Sequence, residues 1–337
     1  MKYPTRKNQN LVFFLILLSS FAFLSSPISN SIDGSIISKQ LSGEIKVVTS
    51  ISIIADWVGE IGEGLFIPTS VVTGGEDPHT FELLGSDIHM IENSDLFIIF
   101  GVEGLEPWAE QVLPDNHNLN VLYLATDEMM TIDPVTSDPN PHLWMSPIIT
   151  KTFVQKITNE VILLDFEHQA EYESNRDDYL SELDDLITMI DNENQFEGLK
   201  VVVHHPSFMY LLDLLGIERV GVIEEHEGSE PSAQHIGEII DTMIAENVSI
   251  IITQPQIEEK MIIQIARDTN AKLAKLTPLL GINDISTYID MIEYNLLALS
   301  NPEEVTGEGW IVTAIIIGSS LFIVTIACLV YFRYIKK

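Results

Sequence analysis

Cysteine is almost absent from the 337 residues: the only one, Cys328, sits in an apolar run near the C-terminus. That excludes a disulfide framework, a cysteine-based metal site and a thiol nucleophile, and it leaves no cysteine behind the N-terminal segment to carry a lipid. Basic residues are also scarce, 17 Lys and Arg against 50 Asp and Glu. Six of the 17 lie at the two ends, so the span from Asp33 to Glu308 holds all 50 acids and only eleven bases. Such a surface repels nucleic acid, and no nucleic-acid partner is expected. Neither an HExxH pair nor a phosphate-binding glycine loop is present. The first absence argues against a zinc protease of that type, the second against nucleotide binding by this chain.

Both ends carry apolar runs. Lys2, Arg6 and Lys7 precede the run Leu11 to Leu24, so residues 1–30 read as a secretory signal peptide rather than a span. Trp310 to Tyr331 holds 22 residues without a charge and, as a helix, would reach roughly 33 Å, enough to cross a bilayer. Arg333, Lys336 and Lys337 follow it. Positive charge marks the cytoplasmic side, so the expected topology is a single C-terminal transmembrane helix (310–331) with the folded part extracytoplasmic.

Between these ends the pattern falls into three parts. In residues 43–146, short β-rich runs such as Ile45 to Thr49 and Leu96 to Phe100 alternate with helical stretches, which predicts a parallel sheet covered on both faces. Residues 147–194 carry Ile157, Val161, Leu164, Tyr172, Tyr179, Leu183 and Leu186 at roughly helical spacing, which predicts one long connecting helix. The alternation resumes over 198–302. The fold class expected is α/β, with two parallel-sheet lobes joined by one long rigid helix.

Open parallel sheets bind ligands beyond the carboxyl ends of their strands. Two of the nine histidines fall there from opposite lobes: His79, stiffened by Pro78 in the loop GGEDPHTFE, and His205, at the strand end opening HPSF. His142 has the same preceding proline, in NPHLWMSP. His204 and His205 are adjacent and point to opposite sides, so one of the two serves a given site, and His205 is the better placed. His89, His117, His168 and His235 read as ordinary surface or hydrogen-bonded histidines, and His226 lies in an acidic loop near the strand ends. Three imidazoles from separate segments suit zinc, whereas manganese takes more oxygen. Glu76, in the loop of His79, is the candidate for a fourth ligand. The rival function is an exported three-histidine zinc hydrolase, with Glu76, Glu225 or Glu230 as base.

These residues resemble a known family, the zinc- and manganese-binding substrate-binding proteins of ABC importers of the TroA/ZnuA type. The resemblance runs through VVTSISIIADWVGEIG (Val47 to Gly62), GGEDPHTFELLGSDI (Gly74 to Ile88), SDLFIIFGVEGLEPW (Ser94 to Trp108) and PHLWMSP (Pro141 to Pro147). It continues in AEYESNRDDYLSELDDL (Ala170 to Leu186), VVVHHPSFMYLLDLLGI (Val201 to Ile217), EGSEPS (Glu227 to Ser232) and IIITQPQI (Ile250 to Ile257). It implies metal held between two lobes, ligands at His79, His142 and His205, transported zinc with manganese as the alternative, and as partners a membrane permease and its ATPase. Three departures stand out. Thr277 occupies the place of a frequent aspartate ligand, Ser146 and Gln254 replace other acidic residues, and the short stretch Asp127 to Asn140 stands where some zinc receptors carry a long histidine-rich loop.

Overall fold

Runs of buried β-branched residues build two sheets, seen in a computed structural model that describes residues 45–113, 119–225, 228–255 and 260–305. The expected signal peptide (1–30) and the apolar run Trp310 to Tyr331 lie outside those residues. Among the described residues no helix is long and apolar enough to cross a membrane.

The first lobe contains β1 (Val47–Ile51), α1 (Ser52–Gly62), β2 (Thr69–Val72), α2 (Gly85–Glu92), β3 (Leu96–Ile99) and β4 (Val121–Tyr123). Its four strands are parallel in the order β2-β1-β3-β4. Every residue of β1 and β3 is buried, because helices cover both faces of the sheet.

Then come α3 (Pro147–Leu164) and α4 (Gln169–Asp191), followed by the second lobe: β5 (Lys200–Val203), α5 (Met209–Leu214), β6 (Glu218–Val222), α6 (Ala233–Glu246), β7 (Ile250–Thr253), α7 (Lys260–Thr269), β8 (Lys272–Lys275) and α8 (Tyr288–Ser300). Its strand order, β6-β5-β7-β8, repeats that of the first lobe, again all parallel. The strand order reverses beside β1 in one sheet and β5 in the other, and the crevice forms at such a point.

The single connecting helix expected over 147–194 is corrected to a helical hairpin. Asp165 leaves the helical region (φ −137°, ψ 76°) and ends α3, while its carboxylate accepts from His168 Nδ1 (2.7 Å) and the Tyr172 hydroxyl (2.9 Å) at the start of the next helix. The chain then doubles back, so that Lys151 near the start of α3 pairs with Asp184 late in α4. Periodicity alone merges the two helices, because both keep an apolar stripe on either side of a four-residue turn. Only α4, 23 residues and roughly 34 Å long, leads into the second lobe.

An aromatic cluster ties the lobes together. Trp57 of α1 packs against Phe100 (ring centroids 6.1 Å), Phe153 of α3 (5.9 Å) and Tyr288 of α8 (5.5 Å). The Tyr288 hydroxyl donates to the Trp144 carbonyl (2.7 Å), and Trp144 Nε1 donates to the carbonyl of Pro278 (2.8 Å). Trp57, Trp144 and Tyr288 are fully buried. Truncating a ring of this kind costs about 3–5 kcal/mol, which is a large share of a domain's stability. The lobes are therefore held by a core and not merely by a linker.

Asp56 of α1 sits in this junction and accepts from the backbone N–H of Tyr288 (2.9 Å). Burial, opposed by that bond and reinforced by Glu60 and Asp290, raises its carboxyl to about 7. A folded-state value above the unfolded one means stability that is complete below the unfolded value and is lost as pH rises towards 7. The loss is at most roughly 4 kcal/mol. Asp56→Asn keeps an acceptor without the charge. Its urea midpoint is expected to exceed that of the unaltered protein at pH 8, the gap shrinking to nothing near pH 4. A gap independent of pH would contradict the assignment.

Candidate metal centre

Each of the three predicted histidines is delivered by a different local device. Asp77 Oδ1 accepts from the N–H of His79 (2.9 Å) and Oδ2 from the Thr80 hydroxyl (3.2 Å), a side-chain turn that fixes Pro78 and His79. The same loop presses on the second lobe at Gly74. A Cβ on Gly281, where φ is +80°, would lie 2.5 Å from the Gly74 Cα, so only glycine permits the approach. His142 precedes a 3-10 turn over Leu143–Met145 whose three side chains are buried. His205 lies two residues beyond β5, and between them the N–H of His204 still bonds to the Ile252 carbonyl (2.8 Å).

The imidazoles meet. His142 Nε2 lies 3.3 Å from His79 Nε2 and 3.1 Å from His205 Nε2, and the three nitrogens all fall within 4.8 Å of one another. Two nitrogens that each bind a tetrahedral zinc at roughly 2.0–2.1 Å stand about 3.3 Å apart, so these contacts match edges of such a tetrahedron.

On every ring the other nitrogen is occupied. His79 Nδ1 donates to the Gly104 carbonyl (2.7 Å), His142 Nδ1 to Asn140 Oδ1 (3.0 Å) and His205 Nδ1 to Glu224 Oε2 (2.6 Å). An acceptor at Nδ1 puts the proton there and leaves the Nε2 lone pair facing inward. Three lone pairs at this spacing repel unless a cation or a proton lies between them. Burial, followed by the neighbouring His205 and His79 and by Arg219, holds His142 well below the usual histidine value, so that ring is neutral at physiological pH. Burial raises Glu224, but the hydrogen bond and charge of His205 and the N–H of Gly228 outweigh it and bring the carboxyl below its ordinary value.

The loop that supplies the Gly104 carbonyl has a support of its own. Glu106, nearly fully buried, accepts from the N–H groups of Phe100 (3.3 Å) and Gly101 (3.0 Å).

A cavity of about 220 Å³ opens over the three nitrogens, lined in addition by Trp144, His204, Glu224, Gln254, Pro278 and Leu279. Glu76, expected as a fourth ligand, is exposed and absent from this lining. Glu224 is near, but its two oxygens already hold His205 and the N–H of Gly228 (2.7 Å). The Thr277 hydroxyl donates to the Leu279 carbonyl (2.7 Å), Ser146 caps α3 by accepting from Ile149, and Gln254 donates to Ser207 (2.7 Å). No carboxylate joins the nitrogens among the described residues.

The remaining histidines stay apart. His89 contacts Asn93, His168 pairs with Asp165 and His235 bonds to the Val222 carbonyl, while His117 and His226 lie outside the described residues. His204 lines the cavity without joining the cluster. Sequence reasoning missed Asn140, Glu224 and the carbonyl of Gly104. Only Asn140, two residues before a candidate ligand, left a signal that could have been used.

The family of periplasmic zinc-uptake complex components, ZnuA, matches residues 47–301. The chain belongs to this family. The ZnuA family comprises solute-binding proteins of ABC transporters and not enzymes, so the hydrolase alternative is not favoured. The chain is similar to the high-affinity zinc uptake protein ZnuA of Bacillus subtilis, 26% identical over 258 residues that cover 70% of this chain and 79% of the relative. It is also similar to the manganese-binding lipoprotein MntA of Halalkalibacterium halodurans, 23% identical over 267 residues, 75% of this chain and 86% of the relative. Among solved structures, a crystal structure of ZnuA aligns with a TM-score of 0.66 and 25% identity, covering 78% of this chain and all of that one. The laminin-binding protein of Streptococcus agalactiae, described as an adhesin with metal-transporting activity, aligns at 0.67 and 26% with the same coverage. This ZnuA-family chain is thus a substrate-binding protein of a metal ABC transporter.

Proposed function

We propose that the protein captures zinc outside the cell through Nε2 of His79, His142 and His205, with a water in the fourth position, and hands it to a permease powered by a cytoplasmic ATPase. The observation that carries this reading is the convergence of three Nε2 atoms, each ring braced at Nδ1, with no carboxylate joining them among the described residues. Relatives differ in metal, MntA being named for manganese and the B. subtilis protein for zinc. An all-nitrogen set favours zinc, because manganese prefers carboxylate and water oxygens.

Zinc titration of the full-length chain in detergent is the primary test. His79→Ala, His142→Ala and His205→Ala are each expected to weaken binding by orders of magnitude and His168→Ala to leave it unchanged. Glu224→Gln is expected to cost about 10–100-fold, as loss of a brace behind a metal-binding histidine does. Glu76→Gln is expected to cost nothing. Unimpaired binding in His205→Ala would contradict the ligand set.

Thr277 stands beside the cavity residues Pro278 and Leu279. Thr277→Asp is expected to shift the ratio of manganese to zinc affinity towards manganese by adding an oxygen ligand. An unchanged ratio in a competition titration would show that position 277 does not face the ion.

The same reading has the receptor held at the membrane by Trp310 to Tyr331, because its one cysteine lies within that run and not where a lipid could be attached near the N-terminus. Truncation before Trp310 is expected to release a soluble zinc-binding domain that supports uptake less well at equal abundance, since tethering raises its local concentration at the permease. Full-length protein in the soluble fraction would contradict the anchor.

A further inference from the structure

Behind His142 lies a chain of buried polar contacts that zinc coordination by itself does not require. Arg219, on β6 of the second lobe, points Nη1 at Asp133 Oδ2 (2.8 Å), and both side chains are almost wholly shielded from solvent at 2% and 1% exposure. Asp133 belongs to the short stretch before His142, where its Oδ1 accepts from the N–H of Val135 (2.9 Å). Asn140 places its Nδ2 between two acceptors, Asp133 Oδ2 (3.4 Å) and the carbonyl of Pro206 (2.9 Å). Its Oδ1 is thereby turned to His142, accepting from the backbone N–H (3.1 Å) and from Nδ1 (3.0 Å).

An amide can present NH₂ on one side and oxygen on the other, never both on one side. Once Nδ2 faces Asp133 and Pro206, the oxygen must face His142, and the ring must carry its proton on Nδ1. The carbonyl of Pro206 and the charge on Asp133 fix the amide together, and Arg219 holds that charge in the interior. The ion pair uses a single guanidinium nitrogen instead of the forked geometry, and a buried pair of this kind is weak evidence for stability. Its strength lies in orientation.

The contacts also cross between lobes. Pro206 directly follows His205, and the Tyr210 hydroxyl of α5 donates to the Asn140 carbonyl (2.8 Å) while accepting from the N–H of Thr131 (3.0 Å). His142 is thus oriented by the lobe that carries His205.

We infer that Arg219 and Asp133 are positioning residues for the metal: through Asn140 they fix the tautomer of His142, so that a displacement of the second lobe withdraws His205 and frees the His142 ring in one movement. The inference rests on His142 being a zinc ligand. It gives the permease a means of release, since a lever on the lobes loosens two ligands without touching the ion.

The test uses the full-length chain in detergent and the double variant Arg219→Met/Asp133→Asn, which removes both charges together and keeps an oxygen for Val135. The amide introduced at position 133 turns a donor towards Asn140 Nδ2, so that the Asn140 amide is opposed on that side and held only by the Pro206 carbonyl and the N–H of His142. Imidazole ¹⁵N shifts of the zinc-free protein are expected to report a pure Nδ1–H tautomer for His142 in the unaltered chain and a mixture in the variant. Zinc affinity is expected to fall about 10–100-fold, and the visible spectrum of the cobalt-substituted protein to change. Arg219→Lys, which retains the charge, should restore most of both. If the double variant fails to fold, Arg219→Gln, which keeps a donor to Asp133, is expected to show the same changes at smaller size. An unchanged tautomer together with zinc affinity within about threefold of the original would overturn the inference, because braces of this kind are worth more than that. The tautomer is read without metal, so absence of zinc binding in the unaltered chain would sink the zinc reading separately.

Discussion

A neutral imidazole has one proton and one lone pair, and a metal needs the lone pair. Three histidines make a site only if each is told which nitrogen to keep free, and that requirement organises the surroundings of this cleft. A backbone carbonyl serves His79, an amide oxygen serves His142 and a carboxylate serves His205. Each acceptor is then held by its own support: the Gly104 carbonyl by the loop that Glu106 gathers, Asn140 by Asp133 and Pro206, and Glu224 by the N–H of Gly228. Buried polar contacts of this kind stand behind each of the three rings.

The second constraint is that the three histidines come from different lobes and must arrive together. The aromatic junction of Trp57, Trp144 and Tyr288 keeps the lobes at a set distance, and Trp144 packs directly beside His142 with ring centroids 5.2 Å apart. Binding at such a site is expected to involve small rotations about a preserved core and not a wide hinge, because the core is not easily parted. Asp56, half-buried in the junction with its carboxyl raised to about 7, adds a pH-sensitive element to the same joint.

The convergence of His79, His142 and His205 was legible in the sequence because proline and strand position carry geometry. Pro78 and Pro141 announce stiff approaches, and a histidine at the end of β5 has one place to point. The supports were not legible, because hydrogen bonds such as Asn140 to Pro206 or His205 to Glu224 join residues far apart in the chain. Proximity in sequence suggested Glu76, which is exposed and does not line the cavity. Periodicity misled at the connector, where one aspartate, Asp165, divides an apparently continuous helix into a hairpin. The repeat of strand order between lobes has no counterpart in the residues themselves, since buried strands need only be apolar and β-branched.

The central claim is that the ion sits among three imidazole nitrogens with one remaining position open to water. X-ray absorption at the zinc edge of the loaded full-length protein tests it most directly. The expected spectrum shows four light-atom ligands near 2.0 Å with the multiple-scattering signature of three imidazoles. A six-coordinate, oxygen-dominated sphere, or one with fewer than three imidazoles, would contradict it.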